Sequence, residues 1–148
     1  VRQGFHHAVN AVADVGYRFI EVGTPGEFDG NRAVAFARNT GDVFNADINT
    51  RLVENIFFKN SPLHDGAMMI RNHHIVAAGA ILPVSNNQEI PRHLGLRHRA
   101  AMGLSEKCDA IVIIVSEETG NISVAFNAEY KLNLSPEELQ RFLTDNVL

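Results

Sequence analysis

The sequence predicts a mixed α/β fold, a central mixed β-sheet flanked by helices, and three observations carry that expectation. Segments with a helical apolar stripe alternate with strand-length apolar runs. Several of those runs are joined by short polar turns, the pattern of hairpins. One run, Ala110 to Val115, is apolar without polar alternation, as a strand covered on both faces must be.

The elements follow in chain order. A first helix is expected from Arg2 to Asp14, where Phe5, Val9 and Val12 share a face with Ala8 and Ala13, and Gly16 ends it. Tyr17 to Val22 is a candidate strand; Gly23, Pro25, Gly26 and Gly30 mark a loop, and Arg32 to Arg38 alternates as a second strand. From Asn49 to Lys59 the residues Leu52, Val53, Ile56 and Phe57 form a broad helical stripe that Asn60-Ser61-Pro62 stops. Ala67 to Arg71 and Ile75 to Leu82 read as a hairpin turning through Asn72-His73-His74. Pro91 to Leu104 lacks strand alternation, and Leu94, Arg97, His98 and Ala101 fit one face of a helix. After the strand Ala110 to Val115, Thr119-Gly120-Asn121 turns the chain into Ile122 to Phe126. Ser135 at the N-cap, Pro136 at the first helical position and Glu138 two residues later form a capping box ahead of Leu139, Phe142 and Leu143.

Composition bounds the function classes. A chain of 148 residues, 45% hydrophobic and 20% charged, is expected to fold as one domain, 1–148. Its 13 basic and 17 acidic side chains give a net charge of -4, which argues against a nucleic-acid partner held by many phosphate contacts and leaves a small anionic ligand open. The single cysteine, Cys108, fits neither a disulfide scaffold nor a zinc cluster and reads as a packing residue, so a reducing cytoplasmic setting is expected. The longest apolar runs are strand-length, far below the roughly 20 residues that span a bilayer. Val1 to Val15 lacks a signal-peptide pattern. A membrane tether or a regulator beyond this segment stays compatible with the sequence.

Three motifs are candidates for chemistry. His64-Asp65-Gly66-Ala67 lies between a Pro-terminated helix and an apolar strand, where a carboxylate meets solvent or ligand and a glycine admits close backbone approach. Spacing alone favours a plain Asx-type turn there. Arg92, His93, Arg97, His98 and Arg99 reverse the local charge of an acidic protein, and guanidinium forks beside Gly95 suit a polyphosphate. A solvated helix face is the competing reading. Ser116-Glu117-Glu118-Thr119-Gly120 ends the most apolar strand with a hydroxyl and two carboxylates, a weak signal alone. No P-loop, GxGxxG or nucleophile elbow is present, and the adjacent His6 and His7 diverge by about 100° on a helix and make a poor metal pair.

Taken together in order, Asn60-Ser61-Pro62-Leu63-His64-Asp65-Gly66-Ala67, Gly79-Ala80-Ile81-Leu82-Pro83-Val84-Ser85, Gly95-Leu96-Arg97-His98-Arg99-Ala100-Ala101 and Val115-Ser116-Glu117-Glu118-Thr119-Gly120 resemble the motifs of the diadenylate cyclase (DAC) domain. The resemblance runs from about Asn45 to the last helix and implies a DAC-like fold. It implies an enzyme, a nucleotidyltransferase that condenses two ATP into cyclic di-AMP, a bacterial second messenger, with release of two pyrophosphates on Mn²⁺ or Mg²⁺. It also implies a face-to-face homodimer in which each domain holds one ATP. Carried over residue by residue, Asp65 activates the 3′-hydroxyl and holds metal, with Gly66 and Ala67 shaping the nucleotide contact. Arg97, His98, Arg99 and Ser116 bind phosphate, Gly79 and Leu82 contact ATP, and Glu118 and His64 join Asp65 at the metal.

Two features depart from the family pattern. Leu96 stands where a threonine usually precedes the Arg-His-Arg triplet. Upstream of Asn45, Arg32 to Asp42 resembles the family's strand and first turn, while Phe19 to Pro25 resembles the second turn out of order, and no adenine-pocket residue can be assigned from there. The alternative function is therefore a catalytically weakened nucleotide-binding regulatory module on the same fold. A structural dimerisation domain with a solvated Arg/His patch is the more remote one.

Overall fold

The structure is a computed structural model that describes residues 19–22, 39–71, 74–116 and 119–146. The expected helix from Arg2 to Asp14, the loop around Gly26 and the strand from Arg32 to Arg38 lie outside the described residues.

Among the described residues seven strands form one mixed sheet in the order β2-β4-β3-β1-β5-β6-β7, where β1 is Phe19–Val22, β2 Asp42–Asp47, β3 Ala67–Arg71, β4 His74–Ala80, β5 Ile111–Val115, β6 Ile122–Phe126 and β7 Glu129–Leu134. Only β1 and β3 run parallel; the other neighbours are antiparallel. Phe19–Val22 is thus a strand at the centre of the sheet, between β3 and β5, and not a turn motif out of order.

Among the described residues three helices pack on the sheet: α1 (Thr50–Ile56), α2 (Leu96–Ser105) and α3 (Pro136–Asn146). The apolar run of β5 is explained by its two neighbours in depth. Ile111, Ile113 and Val115 pack with Val53, Ile56 and Phe57 of the α1 segment and with Leu139 and Leu143 of α3, while Val112 and Ile114 pack with Ala101 and Leu104 of α2. Successive side chains of a strand point to opposite faces, so a strand with helices on both sides has no face left for polar residues.

The capping box forms as expected. The Ser135 hydroxyl accepts the Glu138 N–H at 3.1 Å, and the Glu138 carboxylate accepts the Ser135 N–H at 3.3 Å. At α1 the Asn49 side chain accepts the Leu52 N–H at 2.9 Å, and the helix ends at Ile56, three residues before Lys59. Two strands lie outside the sequence expectation, β2 and β7. Both are sheet edges with mostly exposed side chains; β2 shows no apolar pattern, whereas β7 does alternate, with Tyr130, Leu132 and Leu134 between Glu129, Lys131 and Asn133.

The largest boundary difference is at α2, which starts at Leu96 and not at Pro91. Residues 82–95 instead form an irregular strap laid along the helix, pinned by the Ser85 N–H on the Arg99 carbonyl (2.9 Å) and the Ser85 hydroxyl on the Glu106 carboxylate (2.6 Å). The strap crosses α2 at Gly103, where an added Cβ would stand 1.9 Å from the Pro83 carbonyl oxygen. Replacing Gly103 with alanine must push strap and helix apart, and overpacking of this kind typically costs about 1–3 kcal/mol. Chemical denaturation of Gly103→Ala is expected to show a loss of that size, and an unchanged midpoint would mean that the strap is not seated against the helix.

Candidate active site

The strand registers bring the chain's polar motifs to one end of the sheet. Ala67, the first residue of β3, pairs with Phe19 on one side and with Ala80, the last residue of β4, on the other. Phe19 pairs with Ile114 near the end of β5, Ile114 with Ser123, and Ile122 with Leu134 at the end of β7. The segments just beyond these ends carry His64-Asp65-Gly66 and Ser116, and the start of α2 lies over them. A cleft of about 780 Å³ occupies the space, lined by Asp65, Gly66, Ala67, Leu82, Arg97, His98 and Ser116 among the residues expected from sequence.

Asp65 is exposed, and its carboxylate makes no hydrogen bond with any described residue, so the plain Asx-turn reading fails and the group is available to a ligand. Gly66 is fixed by packing: a Cβ there would stand 2.6 Å from the carbonyl carbon of Gly79, which itself has φ +67°. Gly79 therefore supports the cleft from behind and does not line it. His64 does not line it either. Its Nδ1 lies 2.7 Å from the Ser61 carbonyl, and since a carbonyl oxygen only accepts, Nδ1 is the donor of that hydrogen bond.

Arg97 and Arg99 of the Arg-His-Arg triplet do not face the same way, because residues two apart on a helix point about 200° apart. Arg97 reaches the cleft, with its guanidinium 3.4 Å from the Val115 carbonyl at the end of β5. Arg99 is not in the cleft lining; its charge is felt by Tyr130. His98 is 8% exposed and lines the cleft between the two directions. Burial, and then the charges of His93 and Arg97, hold its imidazole below the ordinary value, so it is neutral near pH 7. Tyr130 of β7 fixes this turn of α2: its hydroxyl donates to the His98 carbonyl at 2.5 Å, and the two rings meet edge to face at 6.3 Å.

At the end of β5, Ser116 closes a tight turn, donating its N–H to the Asn121 carbonyl and accepting the Gly120 N–H, both at 2.9 Å. Glu118 lies outside the described residues. Among the described residues no group of three or more His, Cys, Asp or Glu is placed to hold a metal ion, and no helix is long and apolar enough to cross a membrane. The exposed carboxylate of Asp65 is a hard oxygen donor, a donor type that suits Mg²⁺ or Mn²⁺ when phosphate oxygens supply the other ligands.

Sequence reasoning missed the far wall of the cleft. Thr119, Asn121 and Ser123 come from the turn into β6 and its start, and Leu132 and Asn133 from β7. The local signal in the sequence was the polar–apolar alternation of Glu129 to Leu134, which marks a strand; the structure adds that Asn133 stands at φ 56°. The apolar side, with Ile81, Val84 and Leu94, was also not assigned, and Leu96, 70% exposed, rims the same cleft.

Burial pushes the Tyr130 phenol up to about 12 from its ordinary 10.0, against the pull of Arg99 and with a smaller push from Glu106. A folded-state value above the unfolded one means stability that is complete below pH 10 and lost as the pH rises from about 10 towards 12. The chain has two tyrosines, Tyr17 and Tyr130. Phenolate absorbance of Tyr130→Phe is expected to lose the late titration step, and its stability between those pH values is expected to fall less steeply. An unchanged titration curve would exclude the buried setting of Tyr130.

A family profile described as "DAC: DisA bacterial checkpoint controller nucleotide-binding" matches residues 21–130. "Diadenylate cyclase CdaS" of Bacillus thuringiensis is 52% identical over 88 residues, covering 60% of this chain and 44% of the relative. "Cyclic di-AMP synthase CdaA" of Bacillus subtilis is 48% identical over 104 residues, covering 70% of this chain and 38% of the relative. The chain thus spans less than half the length of both. The crystal structure of a DacA double mutant from Staphylococcus aureus superposes with a TM-score of 0.85 at 36% identity, over 98% of this chain and 93% of that one.

Proposed function

The chain belongs to the diadenylate cyclase (DAC) family, and on that premise we propose that it condenses two molecules of ATP into cyclic di-AMP with release of two pyrophosphates. The observation that carries the reading is the unpartnered carboxylate of Asp65 sharing one open cleft with Arg97 and Ser116. Phosphoryl transfer asks a protein mainly to position its reactants and offset charge, and these groups are suited to both tasks.

In this reading the apolar side around Leu82 takes the adenine, and Asp65 lies at the ribose. The phosphates lie under Arg97 and the first turn of α2, where unpaired helix N–H groups face the cleft. In each half-reaction the 3′-oxygen bonds to the α-phosphorus of the opposed nucleotide. The bond from that phosphorus to its bridging oxygen breaks, and the pyrophosphate keeps the electron pair. Asp65 accepts the hydroxyl proton. Two such steps close the ring. Neutral His98 adds no charge beside Arg97 and can donate a hydrogen bond to phosphate. Leu96 offers no hydroxyl, but its backbone N–H remains at the helix start.

When bound, a divalent cation, Mn²⁺ or Mg²⁺, would offset phosphate charge; Asp65 would hold it from the cleft, with Nε2 of His64, from outside the lining, and Glu118 as the further donors proposed. Because each cleft holds one nucleotide, the catalytic unit is a homodimer with two clefts facing. The longer relatives leave room for a tether or regulator in a segment outside this one.

Chromatographic detection of cyclic di-AMP from purified protein, ATP and Mn²⁺ tests the function. Specific activity is expected to rise with protein concentration, and Asp65→Asn to lower turnover by about 100-fold or more while ATP affinity stays within a few-fold of wild type. No product from a protein that binds ATP would favour the regulatory module instead.

The two arginines separate in the same way. Arg97→Ala is expected to weaken ATP binding by about tenfold or more, the scale of a lost charge-assisted contact, and adenosine binding much less. Arg99→Ala is expected to leave the ratio of the two affinities near wild type. Calorimetric titration with both ligands reads the difference, and equal effects of the two substitutions would restore a joint clamp.

A further inference from the structure

The wall of the cleft formed by β6 and β7 has no role in the mechanism so far, and Asn133 lies beyond the matched span 21–130. Two carboxamides meet there: Nδ2 of Asn121 donates to Oδ1 of Asn133 at 3.1 Å. Both N–H bonds of Asn133 Nδ2 and the second N–H of Asn121 Nδ2 are left without an acceptor among the described residues, at the cleft surface.

Both residues are held from behind. The Asn121 N–H donates to the Thr119 hydroxyl at 3.2 Å, and the Asn121 carbonyl accepts the Ser116 N–H, so its carboxamide is tied to the end of β5. Asn133 sits at φ 56°, where the β6–β7 register slips between Ile122 and Val124, and its N–H lies 3.4 Å from the hydroxyl of the buried Ser123. Asparagine tolerates this backbone region, which accounts for the residue type without using its side chain. Both side chains are exposed, so the unpaired donors face solvent and are open to a ligand.

Position supplies the ligand. Along the sheet end the cleft passes Leu82 beside β4, Asp65 ahead of β3, Arg97 and Ser116 at the end of β5, and then Asn121 in the turn into β6 and Asn133 on β7. Neighbouring strands lie about 4.8 Å apart, so the amides stand about 5–10 Å beyond the end of β5. That is the direction in which a triphosphate continues once its base and ribose occupy the other side. We propose that Asn121 and Asn133 form the subsite for the terminal phosphates of the nucleoside triphosphate, and so for the departing pyrophosphate. The proposal rests on the reading of ATP as substrate. Amide N–H groups meet the charge that gathers on the leaving oxygen while adding no cation that would retain the product.

The test is calorimetric titration of the full chain with AMP, ADP and ATP in Mg²⁺, for wild type, Asn133→Gly, Asn133→Asp and Asn121→Ala, with thermal unfolding of each. Glycine keeps the backbone preference and removes the amide, whereas aspartate keeps the shape and turns donors into an anion. The ratio of ATP to ADP affinity is expected to fall severalfold in Asn133→Gly and Asn121→Ala. In Asn133→Asp it is expected to fall about tenfold or more, with AMP affinity unchanged throughout. An unchanged ratio in both Asn133 variants overturns the subsite. Equal losses for all three nucleotides also overturn it, and point to base recognition by the amides. Wild-type protein that binds none of the three would show that the ATP reading itself has failed, before any variant is compared.

Discussion

The complete burial of β5 is the constraint on which the remaining structure depends. Five consecutive aliphatic residues, Ile111 to Val115, are each at most 1% exposed, and burial of such a side chain is worth about 1.5–3 kcal/mol. That requires helices on both faces, which places α2 on one side and α1 with α3 on the other. It also requires strands on both edges, which places β1 and β6. The end of β5 is then a fixed point. Ser116 leaves it, Arg97 rests against its last carbonyl, and the start of β3 is aligned with it through β1.

The contact between α2 and the sheet is rich in small residues. Ala67, Ala77, Ala80 and Ala125 of the sheet and Ala101 of α2 pack there beside Met69, Val112 and Ile114, and Gly103 of α2 meets the strap backbone directly. Small side chains let helix and sheet approach closely, and close approach brings the first turn of α2 down to the sheet end where Asp65 and Ser116 stand. Tyr130 adds a tie from the edge strand to the His98 carbonyl. Packing and site geometry are thus one problem in this protein. The elements that shape the cleft are held by the core cluster that buries Val112 and Ile114.

Charge is distributed to match. The chain is acidic in total, yet the cleft brings together Arg97 and the helix start on one side and, on the other, Asp65, the one carboxylate among the described residues that line it. His98 contributes a neutral ring there, since a second cation beside Arg97 in a buried position would be costly. Such a site attracts an anion while keeping one group that can hold a cation or accept a proton. The arrangement separates the two tasks in space, with phosphate contacts at α2 and proton or metal contacts ahead of β3.

The sequence by itself determined what depends on short spacing. The capping box at Ser135, the doubly covered strand at Ile111 to Val115, the hairpin of β3 and β4 and the order of the site motifs were all legible. Each is decided by propensity, side-chain period or residue identity over a few positions. What required the tertiary structure depends on partners distant in the chain. The placement of Phe19 to Val22 at the sheet centre is fixed by pairing with residues more than 40 positions away. The start of α2 at Leu96 is set by a strap that bonds to the helix instead of extending it. Arg97 and Arg99 look equivalent in sequence, yet one enters the cleft and the other turns towards Tyr130, because helical rotation has meaning only once a neighbour defines the faces. Asn121 and Asn133 are twelve residues apart and carry no motif; only the β6–β7 pairing and its register slip bring their amides together, since a hydrogen bond between strands is created by the fold and leaves no periodic mark in the chain.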